Sequence, residues 1–312
     1  MTSLGSFTIK KVVFKFKSLL YLNLGLALFI ILWGAWVRLS GSGAGCGEHW
    51  PLCHGEIVPL SPSVQTLIEF THRLTSGLFG ITVLAQLVIS IKDYGKYHPL
   101  TKSSFMLLVL TIVEALIGAV LVKKGLVAKN SSNLRAWVIG LHLVNTLFLL
   151  ASLVFSIRFL HLKNQLKRRD FSREQQFLAY GALFLFLIVS AFGAITALGN
   201  TLFPSSDILS GIKSDFDSNA PFLIRLRIYH PTLAVLTSLL WLYLLYSWKD
   251  KVLESSKLWN MGINLIFAGI GFGFLNWLLM APHWGALLHL LLADLTWMIL
   301  VSCFIERKYI IN

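Results

Sequence analysis

The chain has 312 residues, of which 56% are hydrophobic and only 13% are charged, and its mean hydropathy is +0.72. This composition excludes a soluble globular protein, because the apolar runs have the roughly 20-residue length of bilayer-spanning helices. The net charge of +13 does not indicate nucleic acid, since the basic residues are concentrated in particular loops and tails. Continuous Leu, Ile, Phe and Val runs also exclude a membrane β-barrel, whose strands are short and alternating.

Eight transmembrane helices are predicted in chain order. They cover Ser18–Val37, Glu69–Ile91, Ser103–Val122, Arg135–Ile157, Gln175–Leu198, Leu226–Trp248, Leu258–Met280 and His283–Ile305. The two halves resemble each other weakly: Gly34–Gly41 matches Gly193–Gly199, and a Leu-His-Leu segment occurs in both the fourth and the eighth span. Because each half has four spans, the two halves share one orientation. The fold class predicted is an all-α integral membrane protein made of two parallel-repeat four-helix bundles.

Three regions follow from this interpretation. Residues 1–160 form an N-terminal bundle with an external loop at 40–68, residues 161–173 form a basic linker, and residues 174–312 form a C-terminal bundle. The external loop contains no Lys or Arg up to Ile68, whereas the linker is the most basic stretch of the chain. By the positive-inside rule both termini are cytoplasmic, although Lys123, Lys124 and Lys129 would then lie outside. With no cleavable signal and no mitochondrial presequence, the predicted location is a bacterial plasma membrane.

Four histidines lie close to the start of the even-numbered spans. They form two matched pairs, His72 with His142 and His230 with His289. A histidine inside a membrane span is costly without a partner or ligand, so each is a functional candidate. Alternation of the spans places all four near the outer surface. Facing histidines on different helices suit axial coordination of a haem iron, and the pattern predicts one haem site in each bundle.

Two cysteines, Cys46 and Cys53, lie in the predicted external loop, and Cys303 lies in the last span. Thiols outside the cytoplasm can oxidise, and the short Gly- and Pro-containing segment between the first two can close a loop, so a disulfide is favoured. A zinc site with His49 and His54 is the alternative, although the spacing matches no familiar zinc pattern. Cys303 is interpreted as a small core residue.

Charged residues surround the histidine pairs unequally. Glu69 precedes His72 by one helical turn, and its carboxylate would lie beside the first site, whereas Arg227 takes the matching position before His230. Five arginines gather at outer helix ends, where they could either contact haem propionates or snorkel to the interface: Arg38, Arg73, Arg135, Arg225 and Arg227. Glu114 and Asp294 are ionisable groups at membrane depth, with a proton path, support of the site, or helix association as open roles.

The segment Gly41–His54, the motif Glu69-Phe-Thr-His-Arg73 and the two Leu-His-Leu segments together resemble the haem A synthase family over all eight spans. The resemblance implies oxidation of the C8 methyl group of haem O to a formyl group by successive oxygenations, which gives haem A for terminal oxidases. It implies that His72 and His142 are axial ligands of the substrate haem O and that His230 and His289 hold a resident haem b. It further implies Glu69 as the catalytic carboxylate and a Cys46–Cys53 disulfide.

The implied enzyme is an oxidoreductase that requires molecular oxygen and an external electron donor. Expected partners are membrane lipid, the unidentified donor and haem O synthase as the source of substrate, with a homo-oligomer left open and no nucleic acid expected. Two other functions use the same histidines: a di-haem cytochrome b that only transfers electrons, and a haem carrier or transporter. The cytochrome b would need no carboxylate beside one site, so Glu69 weighs against it, whereas the sequence alone does not exclude the carrier or transporter.

Overall fold

The computed structural model describes residues 3–161, 167–168, 172–249 and 256–310, so most of the predicted 161–173 linker lies outside the described residues. Within these ranges the protein is built from helices. They are α1 Ser3–Leu39, α2 Val64–Tyr94, α3 Pro99–Lys123, α4 Asn133–His161, α5 Arg173–Leu202, α6 Ile208–Phe216, α7 Phe222–Arg225, α8 Tyr229–Lys249, α9 Ser256–Leu278 and α10 His283–Lys308. Two-residue strands, β1 Lys167–Arg168 and β2 Tyr309–Ile310, pair antiparallel.

The structure confirms eight helical segments long and apolar enough to cross a membrane, so the protein is a multi-pass membrane protein. The sixth segment differs from a simple helix, because it consists of α7 followed by α8. Pro231 lacks the backbone N–H that a continuous helix would bond to the oxygen of Arg227, which favours an interruption between α7 and α8. Pro231 is then accommodated in the first turn of α8, where proline is tolerated.

One helix outside the spans, α6, was not predicted. Its N-cap is Asp207, whose side chain accepts a hydrogen bond from the backbone N–H of Ser210, and the Ser210 hydroxyl oxygen accepts one from the Asp207 N–H. This reciprocal capping satisfies two backbone donors at the start of the helix. The hydrogen bonds from Ser210 and Ser206 lower the pKa of the Asp207 carboxyl below its ordinary range.

The largest hydrophobic cluster combines residues from both predicted bundles. Leu147 and Leu150 of α4 pack in one core with Leu187 of α5 and Trp297 of α10. Trp297 is buried, and its indole Nε1 donates a 2.7 Å hydrogen bond to the backbone oxygen of Leu147. The two halves therefore share a core, with α4 and α10 in direct contact. Their relation as parallel repeats, and the three predicted regions, stay predictions.

Candidate functional site

The four predicted histidines occupy comparable places in the fold. His72, His142, His230 and His289 lie towards the N-terminal ends of α2, α4, α8 and α10, respectively, and each is partly buried. His72 and His142 are close enough for their charges to interact, as are His230 and His289. The structure thus brings together the pairs that the sequence suggested.

The two rings of the second pair lie at a distance that would suit two ligands of one metal ion. The ring centroids of His230 and His289 are 6.2 Å apart, and the ring planes are inclined by 82°. Two metal–imidazole bonds of about 2 Å each, together with the radii of the two rings, add up to a similar distance. An iron ion held by both histidines therefore fits between α8 and α10.

Three of the histidines are backed by a glycine on a neighbouring helix. A Cβ atom at Gly34 of α1 would lie 2.9 Å from Cε1 of His72. The same 2.9 Å separates the Cβ position at Gly193 of α5 from His230, and that at Gly273 of α9 from His289. Because real Cβ atoms do not approach so closely, only glycine lets these imidazoles lie in their observed positions. Gly34 and Gly193 occur at matching places in the two halves of the sequence, but their contacts with His72 and His230 were not predicted.

The second ring nitrogens of the histidines have different surroundings. Nδ1 of His230 lies 3.0 Å from the backbone oxygen of Val189, and since a carbonyl only accepts, Nδ1 carries the proton and Nε2 is left for a metal. Nδ1 of His72 and Nδ1 of His289 are buried without a hydrogen-bond partner among the described residues. At the remaining histidine, His142, Nδ1 lies 3.1 Å from Oε1 of Glu114, without the alignment of a straight hydrogen bond.

Glu69 is almost fully buried, with 3% of its surface exposed. Its Oε1 accepts a 2.5 Å hydrogen bond from Nη2 of Arg73, and its Oε2 accepts a 2.9 Å bond from the backbone N–H of Cys46. The carboxylate therefore lies one turn before His72 with both oxygens occupied. It joins the helix that carries His72 to the loop above it.

The external loop contains a Cys46–Cys53 disulfide, as predicted, with a Cα–Cα distance of 4.5 Å. Disulfide sulfurs are not thiolates, so the alternative zinc site is wrong for this state of the protein. Nη1 of Arg73 donates 2.6 Å hydrogen bonds to the backbone oxygens of both His49 and Leu52. Arg73 and Glu69 thus fix the disulfide loop over the start of α2.

The five arginines predicted as propionate contacts differ in their partners. Arg73 binds Glu69 and the loop, and buried Arg135 donates to the oxygens of Ala128 and Asn130. Arg38 donates to the Thr201 hydroxyl at 3.2 Å, and Arg225 is exposed. Propionate binding by these residues stays a prediction.

Arg227 connects the start of the sixth segment to α6. It pairs with Asp215 at 2.8 Å and also donates to Asn200 and Ser214, both at 3.1 Å. Burial raises the pKa of the Asp215 carboxyl above its ordinary value, and the charge of Arg227 acts in the opposite direction. Asp294 of α10 is also buried, and neither of its carboxyl oxygens has a hydrogen-bond partner among the described residues.

Eight spanning helices with two histidine pairs near the same end define a helical membrane protein suited to holding metal-centred cofactors. Residues 17–301 match the family described as cytochrome oxidase assembly protein, COX15-CtaA. The match covers most of the sequence, and the chain therefore belongs to this family.

Three relatives illustrate the similarity. A protoheme IX farnesyltransferase of Thermus thermophilus is 39% identical over 279 residues, which are 88% of this chain and 45% of that protein. A heme A synthase of Exiguobacterium sibiricum is 32% identical over 168 residues, 54% of each chain. One of Bacillus cereus is 34% identical over 170 residues, 54% of this chain and 52% of the relative. The matches thus span about half the length of these relatives.

Proposed function

We propose that this protein is a haem A synthase, an oxidoreductase that converts the C8 methyl group of haem O to a formyl group. The observation that carries the proposal is the unequal surroundings of two otherwise similar histidine pairs. Two carboxylates, Glu69 and Glu114, lie beside the first pair, whereas the contacts of the second pair among the described residues are with Gly193, Gly273 and the backbone oxygen of Val189. The first pair is therefore suited to a reaction that needs an acid or a base, and the second pair is suited to holding a cofactor. Family membership and the heme A synthase relatives support the same assignment.

His230 and His289 would hold a resident haem b. Their ring separation fits an iron ion, and the close contacts with Gly193 and Gly273 fix the two imidazoles from behind. The bond between Nδ1 of His230 and Val189 fixes the tautomer that presents Nε2. A bound haem b would supply one-electron redox chemistry, and the protein would set its position and environment.

His72 and His142 would hold haem O as the substrate. Each oxygenation consumes one molecule of oxygen, two electrons from an external donor and two protons. It inserts one oxygen atom and releases the other as water. The first oxygenation turns the methyl group into an alcohol. The second gives a hydrated aldehyde, which loses water to become the formyl group of haem A.

Glu69 would act at the reacting methyl group by moving a proton or stabilising positive charge on the oxidised carbon. Its burial beside His72 supports this role. In the described structure its charge is compensated by Arg73, which also holds the loop. Glu69 would therefore have to exchange the contact with Arg73, or with Cys46, for a contact with substrate.

The membrane orientation and the partners belong to the same proposal. The lack of Lys and Arg in the disulfide loop supports an external location for that loop and a cytoplasmic location for both termini, in a bacterial plasma membrane. Haem O synthase is proposed as the supplier of substrate. A relative named protoheme IX farnesyltransferase, of which this chain covers less than half, supports that link. The electron donor would be a separate partner.

Identification of the haems in the purified protein tests the function. The full chain is co-expressed with a source of haem O, and extracted haems are identified by chromatography and mass spectrometry. Haem b together with haem A or its hydroxylated precursor is expected. Haem b alone, with unaltered haem O in the membrane, would favour an electron-transferring cytochrome b or a haem carrier instead. A His72→Ala and His142→Ala double variant is the matched control and should yield haem b only.

A further inference from the structure

The first histidine pair is itself asymmetric, because only one member faces a carboxylate. Oε1 of Glu114, on α3, lies 3.1 Å from Nδ1 of His142, on α4. Both side chains are partly buried at membrane depth. In the described part of the chain, the other three paired histidines have a backbone oxygen or no hydrogen-bond partner at Nδ1.

The Glu114 carboxylate is held firmly in this position. Nδ2 of Asn145 donates to its Oε2 at 2.6 Å and to the backbone oxygen of Leu110 at 2.9 Å. The hydroxyl of Thr146 also donates to Oε1. Asn145 and Thr146 follow His142 by three and four residues, so they share its face of α4. Three side chains of α4 therefore converge on one carboxylate of α3.

In the other half of the protein, a glycine of α9 contacts the histidine of α10. Gly273 of α9 lies directly against His289, and a Cβ there would be 2.9 Å from the ring. No carboxylate could be placed at that position without moving the imidazole. Among the described residues, only the first pair therefore has a carboxylate at an imidazole Nδ1.

A carboxylate at Nδ1 changes what Nε2 can do. It keeps the proton on Nδ1, presents Nε2 to the metal, and makes the imidazole a stronger donor. His72 has no such support among the described residues: its Nδ1 is buried without a partner, and its ring rests against Gly34.

We propose that Glu114 is a positioning residue that makes His142 the firmly bound axial ligand of the substrate haem and leaves His72 as the exchangeable one. This rests on the proposed function, because it requires haem iron between these two histidines. Two histidine ligands leave no free position at the iron, and loss of His72 would open one. The open position would lie on the α2 side, where Glu69 is one turn away from His72.

The test compares variants of the full chain loaded with haem O. His72→Ala should keep haem O and bind carbon monoxide faster in the ferrous state, whereas His142→Ala should lose haem O. Glu114→Gln keeps the shape but removes the charge. It should release haem O about 10- to 100-fold faster and raise its midpoint potential, because a less basic ligand stabilises the ferric state less. Asn145→Leu should produce a smaller change in the same direction.

Asp294→Asn is the matched control, because it removes a buried membrane carboxylate that contacts neither histidine of the first pair. It should leave the release and the potential of haem O unchanged. Equal loss of haem O in His72→Ala and His142→Ala, or wild-type release and potential in Glu114→Gln, would overturn the proposal. If Glu114→Gln also loses haem b, its effect is not confined to the first site. The comparison of His72→Ala with His142→Ala then tests the proposal by itself. A wild-type protein that binds haem O without oxidising it would refute the proposed function and leave this comparison intact.

Discussion

Gly193 and His230 lie so close together that a Cβ atom at position 193 would be 2.9 Å from Cε1 of the imidazole. Gly193→Ala should therefore displace His230 and lower the haem b content of the purified protein several-fold. Gly181→Ala is the matched control on the same helix, because nothing lies within 4 Å of its Cβ position among the described residues. Replacing a helical glycine by alanine favours the helix by about 0.5–1 kcal/mol, so the control should fold at least as well as wild type. Equal haem b content in the two variants would contradict the assignment.

Gly34 provides the corresponding test of the first pair. Gly34→Ala should push His72 out of position, so carbon monoxide should bind the ferrous substrate haem faster than in wild type while haem O and haem b are both retained. Gly25→Ala, on the same helix and without described neighbours at its Cβ position, should retain both haems. The ratio of the haems, measured by chromatography, distinguishes a local effect from misfolding. Loss of haem b alone in Gly34→Ala would show that the two sites have been assigned to the wrong halves.

Glu69→Gln separates a catalytic role of the carboxylate from its attachment to the loop. We expect haem O and haem b to remain bound and the rate of haem O oxidation to fall about 100-fold or more, as for loss of a general acid or base. Arg73→Gln removes the contacts to the loop but leaves the carboxylate. If both variants lose activity equally, Glu69 acts through the loop; wild-type turnover in Glu69→Gln would exclude both roles.

The disulfide should stabilise the loop above His72. Cys46→Ser with Cys53→Ser removes a short covalent ring, whose closure is worth about 2–3 kcal/mol in a chain-entropy model. Backbone hydrogen exchange and protease cleavage in the loop should increase, while haem b is retained. Cys303→Ala is the control, because this free cysteine is buried in the last span. Unchanged exchange in the double variant would show that Glu69 and Arg73 hold the loop without the disulfide.

Asp215 should influence the pH dependence of stability. Burial raises the pKa of its carboxyl above 3.8 despite Arg227, so the folded protein binds this proton more tightly than the unfolded chain. The contribution of Asp215 therefore makes the fold more stable as pH falls through the raised pKa towards 3.8, and less stable as pH rises above it. Asp215→Asn should flatten this dependence in thermal unfolding above about pH 4, the ordinary range of an aspartate carboxyl.

The sequence predicted the eight spans and the pairing of the histidines because those depend on hydropathy and on alternation along the chain. The disulfide followed from two cysteines in one loop. The contact of His72 with Gly34 could not be predicted in the same way, because it depends on the rotation of two packed helices. A partial signal existed, since Gly34 and Gly193 occur at matching places in the two halves.

The contact of Glu114 with His142 also depends on helix packing and could not be predicted from the sequence. The depth of Glu114 in the membrane marked it as functional or structural, but its nearest imidazole is 28 positions away in sequence, on the next helix. Helix α6 was missed because it lies in a polar loop, where a capping residue rather than hydropathy starts the helix. Local sequence patterns therefore predicted the candidate site residues, whereas helix packing determines which of their side chains come into contact.

The hydrogen bond between Trp297 and Leu147 has a consequence for the spacing of the two sites. It joins α10 to α4, and each of these helices carries one histidine of a different pair. The shared core around that bond holds the two helices against each other. With haem at both sites, this contact between two ligand-bearing helices would help to set the separation of the two irons. Electrons passing between the irons would then cross a distance determined in part by the packing of α4 against α10.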